Sequence, residues 1–206
     1  MDSLLEELME QALKGDIRNL QRMVARGLNV NEKGTWNRSL LHKAANLGAV
    51  EVADVLILHG ANLNSRDMTG RTPLHEAAEM GHVKMAELLI MNGSEIDAKD
   101  RDGQTPLHYT AEMNNSEVAK VLFAYEAKIN AKSKNGATPL HQAAKHGQIE
   151  MVQLLIVQGA DFNAPDGSGT TPLKAAIQNA DVMLQGDKPT DYPSVIKLLQ
   201  TYGAVQ

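Results

Sequence analysis

Residues 70–78 read GRTPLHEAA and residues 103–111 read GQTPLHYTA. Related versions of this phrase stand at 37–45, 136–144 and 169–177. The histidine of the phrase recurs every 33 residues, at His42, His75, His108 and His141. A fixed period between about 20 and 50 residues indicates a solenoid of stacked units rather than one globular core.

Each unit contains the signals for two short helices. Thr72 is a favourable N-cap residue, and Pro73 suits the first helical position because an N–H there has no intrahelical partner. We predict a first helix from Pro73 to about Met80 and a second helix over 83–91, each followed by a glycine. Helices this short are unstable alone in water, so they must be stabilised by stacking against neighbouring units.

The period divides almost the whole chain into six units, at 1–33, 34–66, 67–99, 100–132, 133–165 and 166–206. The first unit has Glu6 and Glu7 where an apolar contact is expected, which predicts an N-terminal capping repeat. The longer last unit predicts a C-terminal capping repeat with an insertion at 179–193. That insertion is either a tolerated loop or a contact loop that presents Asp191 and Tyr192 to a partner.

The fourth unit, residues 100–132, departs most from the pattern. Thr110 replaces a core alanine, and Ser116 replaces an apolar residue. Asn114 and Glu126 stand where the other units have glycine. Because glycine tolerates backbone angles that other residues avoid, and because a polar group in a core needs a partner, we predict that this unit is the least stable.

The motif Thr-Pro-Leu-His-x-Ala-Ala, followed by Gly, Leu-Leu and Gly-Ala-x-(Asn/Asp)-Ala on a 33-residue period, resembles the ankyrin repeat. The resemblance covers about residues 3–206. It implies an all-α fold, a helical solenoid of about six L-shaped helix–turn–helix units with β-hairpin-like loops. It also implies a concave face built from hairpin tips and first helices. The resemblance further implies that the repeat histidines form hydrogen bonds between neighbouring loops; these are His42, His75, His108 and His141.

Composition limits the classes of function open to the chain. The 206 residues carry a net charge of −5 and no cysteine, which argues against a nucleic-acid-binding protein and excludes disulfides and thiolate chemistry. No stretch is apolar enough to span a membrane, and residues 1–16 are too acidic for a signal peptide. We expect a soluble protein, cytoplasmic by default, although a cysteine-free chain also suits export if a signal peptide has been removed.

Candidate catalytic and metal sites are weak. The repeat histidines occupy equivalent positions about 10 Å apart along the stack, too far apart to share one metal ion. The loop at 97–103 matches a calcium loop only in part. Lys132, Lys134 and Lys145 indicate at most a small positive area, and more simply a solvated surface. We expect no enzymatic activity, no metal and no cofactor.

Positions that vary between units predict the binding surface, because packing does not constrain them. Leu47, Met80, Met113 and His146 are repeat-equivalent, and the first three are large apolar residues that are either exposed or additional core. Apolar side chains with Trp, Tyr, Met and Arg are typical of the centre of a protein interface. The predicted partner-binding residues are Trp36, Arg38, Leu47, Met68, Arg71, Glu79, Met80, Arg101, Gln104, Tyr109, Met113 and His146.

These features predict a non-catalytic protein-binding module, monomeric on its own. We expect it to recognise a folded protein through its concave face, as an inhibitor or immunity-type regulator of an enzyme. The alternative in the same class is an adaptor that bridges two proteins, which needs a second apolar patch, for example at 179–193. An enzyme or cofactor-binding protein would need a pocket with convergent polar groups, which the sequence does not indicate.

Overall fold

The computed structural model describes residues 17–183 and 191–204, and this part of the chain contains eleven α-helices. None of these helices combines the length and the apolar character that crossing a bilayer requires. A short 3-10 turn lies at Thr35–Asn37, and one antiparallel bridge joins Lys33 to Ser39. The helices are α1 Ile17–Ala25, α2 Leu40–Leu47, α3 Val50–Leu58, α4 Pro73–Met80, α5 Val83–Met91, α6 Pro106–Met113, α7 Ser116–Ala124, α8 Pro139–Lys145, α9 Ile149–Val157, α10 Pro172–Met183 and α11 Tyr192–Thr201.

The helices form two stacked layers, as the repeat predicts. Each of the second to sixth units contributes an inner helix that begins in the repeated phrase and an outer helix that follows it, and the described part of the first unit contributes the outer helix α1. Consecutive inner helices, α2, α4, α6, α8 and α10, contact one another, and so do the consecutive outer helices α1, α3, α5, α7, α9 and α11. The repeated leucines of both layers are fully buried: Leu41, Leu74, Leu107, Leu140 and Leu173 inside, and Leu56, Leu89, Leu122, Leu155 and Leu199 outside. The repeated phrase is therefore the packing interface between units.

The repeat histidines connect neighbouring units through hydrogen bonds. In the third unit, the Thr72 N–H donates to His75 Nδ1 (3.1 Å), so the ring proton lies on Nε2. His75 Nε2 donates to the carbonyl oxygen of Gln104 in the following hairpin, 3.1 Å away. His42, His108 and His141 make the equivalent bonds, to Arg71, Ala137 and Thr170.

The hairpin tips are joined by a second series of backbone bonds. The Met68 N–H donates to the Trp36 carbonyl (2.9 Å), and the Arg101 N–H donates to the Thr69 carbonyl (2.8 Å). The same bond recurs between the later tips, from Lys134 to Asp102 and from Gly167 to Asn135. The tips therefore form one connected row, and their side chains are held at fixed spacing.

The fourth unit contains the unfavourable features that the sequence indicates. Thr110 is fully buried, and its hydroxyl donates to the Leu107 carbonyl at 2.8 Å. Asn114 and Glu126 both have left-handed backbone, with φ of 59° and 62°. An open groove of about 420 Å³ lies between α7 and α9, lined in part by Ser116. That this unit is the least stable remains a prediction.

Replacing Glu126 with glycine is expected to raise the free energy of unfolding by about 1 kcal/mol, because left-handed backbone is unfavourable for residues with a Cβ. Urea unfolding measures the change. The matched control is Gly93→Glu at the equivalent position of the previous unit, where φ is 99° and no atom lies within 4 Å of the position that a Cβ would occupy. That variant should lose stability by a similar amount; a gain there, or a loss in Glu126→Gly, would contradict the interpretation.

The last unit differs from its sequence interpretation. Part of the insertion predicted at 179–193 is helical, because α10 continues to Met183 and α11 begins at Tyr192; residues 184–190 lie outside the described part. Tyr192 is only 4% exposed, and its hydroxyl donates to the Lys145 carbonyl (2.8 Å). The hypothesis that Tyr192 is presented to a partner is therefore wrong, because its ring packs into the core. Asp191 is exposed and caps α11 by accepting from the Ser194 N–H at 3.2 Å.

Candidate protein-binding surface

The hairpins lie alongside the exposed sides of the inner helices. This placement is fixed in the third unit, where Arg71 of the hairpin forms an ion pair with Glu79 near the end of α4. We call the surface formed by the hairpin tips and the exposed sides of the inner helices the inner face. The second to fifth units each contribute to it two or three tip residues and the last turn of their inner helix.

An apolar row runs along the inner face. Leu47, Met80 and Met113 end three consecutive inner helices, and each is 46–51% exposed. Trp36 and Met68, on two neighbouring hairpin tips, are 66% and 47% exposed. The alternative that the first three are additional core residues does not agree with this exposure. Large exposed apolar side chains that recur in consecutive units are the kind of feature that marks an interaction site.

Trp36 has an unfavourable backbone conformation, with φ 61° and ψ 21°. A bulky residue rarely adopts positive φ, and such residues concentrate at functional positions. The following residue, Asn37, is also left-handed, at φ 59°. The Trp36 carbonyl accepts from Met68, which ties this turn to the next hairpin. The turn therefore holds the tryptophan ring outward at the N-terminal end of the row.

Beside the apolar row, a buried carboxylate organises two arginines. Glu76, on α4, is 2% exposed although it is charged. It forms ion pairs with Arg38 and with Arg71, the latter at 3.4 Å, and it accepts a hydrogen bond from Asn46 Nδ2 at 2.8 Å. A buried carboxylate needs such partners because removing it from water is costly. Glu76 thus joins side chains from two hairpins and two inner helices.

Tyr109 continues this network toward the fourth unit. The Arg71 guanidinium lies over the Tyr109 ring, 4.7 Å from its centroid, in a cation–π arrangement. The Tyr109 hydroxyl donates to Asp100 Oδ2 (2.7 Å). Burial raises the pKa of Tyr109, and the bond to Asp100 raises it further, so the phenol stays protonated. Burial lowers the pKa of Arg71, but Glu79 and Glu76 outweigh that effect and raise it, so the cation persists.

Models of known families match the sequence over most of its length. A model described as ankyrin repeats (3 copies) matches residues 8–100 and 127–203, and a single ankyrin-repeat model matches residues 102–134. The chain belongs to the ankyrin-repeat family. Ankyrin repeats mediate binding to protein partners and are typically non-catalytic. No curated protein matches the sequence.

The predicted binding residues occupy two different environments in the ankyrin stack. Arg38, Arg71, Glu79 and Tyr109 belong to the charged network and are held by intramolecular contacts. The others lie along the inner face at the tips or helix ends: Trp36, Leu47, Met68, Met80, Arg101, Gln104, Met113 and His146. Within the described ranges, no three His, Asp or Glu side chains are grouped as a metal ion would require.

Sequence reasoning missed Glu76 as a member of this surface. The sequence carried only a weak indication of this role for Glu76. Its equivalents in other units are Lys43, Tyr109 and Gln142, so the position varies as binding positions do. No repeat pattern indicates that the Glu76 carboxylate is buried between two arginines. Its burial depends on side chains that come from successive units.

Proposed function

We propose that this ankyrin-repeat chain is a non-catalytic module that binds a folded protein through its inner face and inhibits it, as an immunity-type or inhibitory regulator of an enzyme. The observation that carries the proposal is the exposed row of Trp36, Leu47, Met80 and Met113. Burying such side chains against a partner is favourable because it removes apolar surface from water.

The size and rigidity of the inner face suit a folded partner. The four side chains come from three units about 10 Å apart, so the row is roughly 20 Å long and fits within the patch of about 800 Å² that each partner buries in a standard protein interface. Backbone bonds between the tips and the Glu76 network hold the surface in place before binding, so less conformational entropy is lost on association. A rigid face of this width can cover the entrance to an active site, which is why inhibition follows naturally from binding.

The deciding experiment compares proteins captured by the wild type with those captured by Trp36→Ala/Met80→Ala/Met113→Ala. A matched control, Leu58→Ala/Met91→Ala/Val157→Ala, removes three side chains that end outer helices and are 67–80% exposed. A partner lost only from the inner-face variant supports the proposal, and the purified partner, if an enzyme, is then assayed with and without the chain. The proposal would be contradicted if both variants lost the partner equally. It would also be contradicted if a saturating concentration of the chain left the enzymatic activity of the partner unchanged.

For the captured partner, Trp36→Ala alone is expected to weaken binding by about 2 kcal/mol, because tryptophan is enriched among interface hot spots. Calorimetric titration of the purified partner gives the difference. Thermal unfolding of the variant should stay close to that of the wild type, because the side chain is mostly exposed. A large drop in melting temperature would instead assign Trp36 a structural role.

A second candidate function, an adaptor that bridges two proteins, is favoured by the apolar side chains at the ends of the outer helices. Leu58, Met91 and Val157 are repeat-equivalent and lie on helices of the layer opposite to the inner face. The insertion at 179–193 does not need to supply the second patch. An adaptor predicts that the outer-helix variant loses a different captured protein, whereas an inhibitor predicts no such loss.

A further inference from the structure

Methionines occupy two opposite environments in the described part of the chain. Met85 and Met151, on the outer helices α5 and α9, are fully buried in the core. Met68, Met80 and Met113, on the inner face, are 46–49% exposed. We call these last three residues the methionine set. Because the chain has no cysteine, methionine thioethers are its only sulfur groups, and those of the methionine set are open to solvent.

The stack does not require methionine at these positions. Met80 and Met113 are repeat-equivalent to Leu47, which ends its own inner helix and is 51% exposed. Leucine and methionine are both apolar and similar in volume, so either can fill an apolar contact. Methionine differs in carrying a polarisable thioether. The property that distinguishes the methionine set from Leu47 is therefore the reactivity of its sulfur.

A hydroperoxide such as hydrogen peroxide oxidises an accessible thioether by two electrons. The sulfur lone pair attacks one peroxide oxygen, and an S–O bond forms as the O–O bond breaks. The departing hydroxide takes the proton of the transferred oxygen and leaves as water, so the peroxide is reduced while the sulfur is oxidised. The product, methionine sulfoxide, is polar, and sulfoxide reductases restore the thioether.

Resting on the proposed function, we propose that Met68, Met80 and Met113 are a site of reversible oxidation that regulates partner binding. Their sulfoxides replace apolar surface on the inner face by strong hydrogen-bond acceptors. A partner that covers these groups must remove them from water without supplying matched donors, which is unfavourable. A hydroperoxide therefore converts the inner face from a binding to a non-binding form.

Oxidation at the methionine set leaves the stack itself intact. The side chains that join the units are the buried leucines and the repeat histidines, and no methionine of the set is among them. The contact that Met68 makes with the neighbouring hairpin uses its backbone N–H, which oxidation does not change. The site thus separates binding from stability, whereas oxidation of Met85 or Met151 would place a polar group in the core.

Limited treatment with hydrogen peroxide, followed by peptide mass spectrometry, tests the site without a partner. Sulfoxide is expected to form at the methionine set at least about tenfold faster than at Met85 and Met151, which become accessible only through local unfolding. Thermal unfolding of the briefly treated protein should match that of the untreated protein. Equal rates at exposed and buried methionines, or a large drop in melting temperature, would overturn the proposal.

The second readout is the affinity for the captured partner before and after peroxide treatment. Oxidised wild type is expected to bind at least about tenfold more weakly, as expected when interface hot spots are lost. Met68→Leu/Met80→Leu/Met113→Leu lacks the three thioethers, so its affinity should change by less than about twofold on treatment, whatever its starting value. A sulfoxide reductase should restore binding by the wild type.

The matched control is Met91→Leu, which removes an exposed methionine from the end of outer helix α5 and keeps the methionine set. This variant should lose affinity on oxidation as the wild type does. Equal losses in the triple leucine variant and the wild type, or no loss in the wild type, would refute the regulatory role.

The inference and the proposed function can fail separately. If the inner face captures a partner whose affinity is unchanged by oxidation, only the inference fails. If no captured protein depends on the inner face, the proposed function fails. Hydrophobic-interaction chromatography then decides whether oxidation changes this surface: oxidised wild type should elute earlier than untreated protein, and the triple leucine variant should shift less. Equal shifts of the two proteins would exclude the methionine set as the site.

Discussion

Acidification from pH 7 to about pH 4 is expected to lower the free energy of unfolding by about 6 kcal/mol through His75 and His108. Both rings are fully buried, and burial lowers the pKa of each to about 4. In the unfolded chain a histidine has a pKa of about 6.5. The unfolded state therefore binds protons first as the pH falls, and each histidine contributes about 3 kcal/mol that is present above pH 6.5 and lost between about 6.5 and 4.

The physical cause is the bond between units. Nδ1 accepts from the backbone and Nε2 donates to the next hairpin, so a second ring proton would meet an N–H donor. Burial also lowers the pKa of His42 and His141, which adds to the effect in the same direction. Protonation of these rings should loosen the contacts between units before it changes the helices themselves.

Urea unfolding at a series of pH values measures this loss, and the imidazole resonances report the two titrations directly. Burial alone would raise the pKa values of Asp67 and Asp166, but hydroxyl and backbone donors outweigh it and hold both below 3.8. The stability that these two carboxylates contribute is therefore lost below about pH 4, which separates it from the loss caused by the histidines. Equal stability at pH 7 and at about pH 4.5, where most of the loss is expected, would contradict the assignment.

Glu76→Ala is expected to destabilise the fold by about 3 kcal/mol. Removing the buried carboxylate leaves Arg38 and Arg71 partly buried without their shared partner, and unpaired buried charge is strongly unfavourable. The amide of Asn46 loses its acceptor as well. Because these groups belong to successive units, the loss should appear as reduced cooperativity between units and as a lower midpoint in urea unfolding.

Two further variants separate this network from ordinary surface ion pairs. Glu79→Ala removes only the outer partner of Arg71 and should cost at most about 1 kcal/mol. Glu76→Leu combined with Arg38→Met and Arg71→Met replaces the whole charged set by apolar side chains and should restore most of the stability. If Glu76→Ala and Glu79→Ala have the same small effect, the carboxylate is not a structural centre of the inner face.

Much of this architecture follows from local sequence. Pro73 and Thr72 begin a helix because their own backbone preferences favour it, and the structure places α4 at Pro73–Met80 as predicted. The 33-residue spacing of His75 and His108 fixes their equivalence, and with it their shared bonding role. The sequence also places Met80 and Met113 at positions that vary between units, but it leaves open whether they are exposed or additional core, and the structure shows them exposed.

Other features depended on contacts between units. A regular repeat encodes nearest-neighbour packing, so the sequence by itself determined the stack and the equivalence of its repeat histidines. Only the tertiary structure decided that Glu76 is buried between two arginines, that Tyr192 points into the core and that Lys99 donates to the main-chain carbonyl of Lys132. The reason is that each of these depends on where long side chains from different units meet, and their distances are set by the assembled stack rather than by local backbone preference.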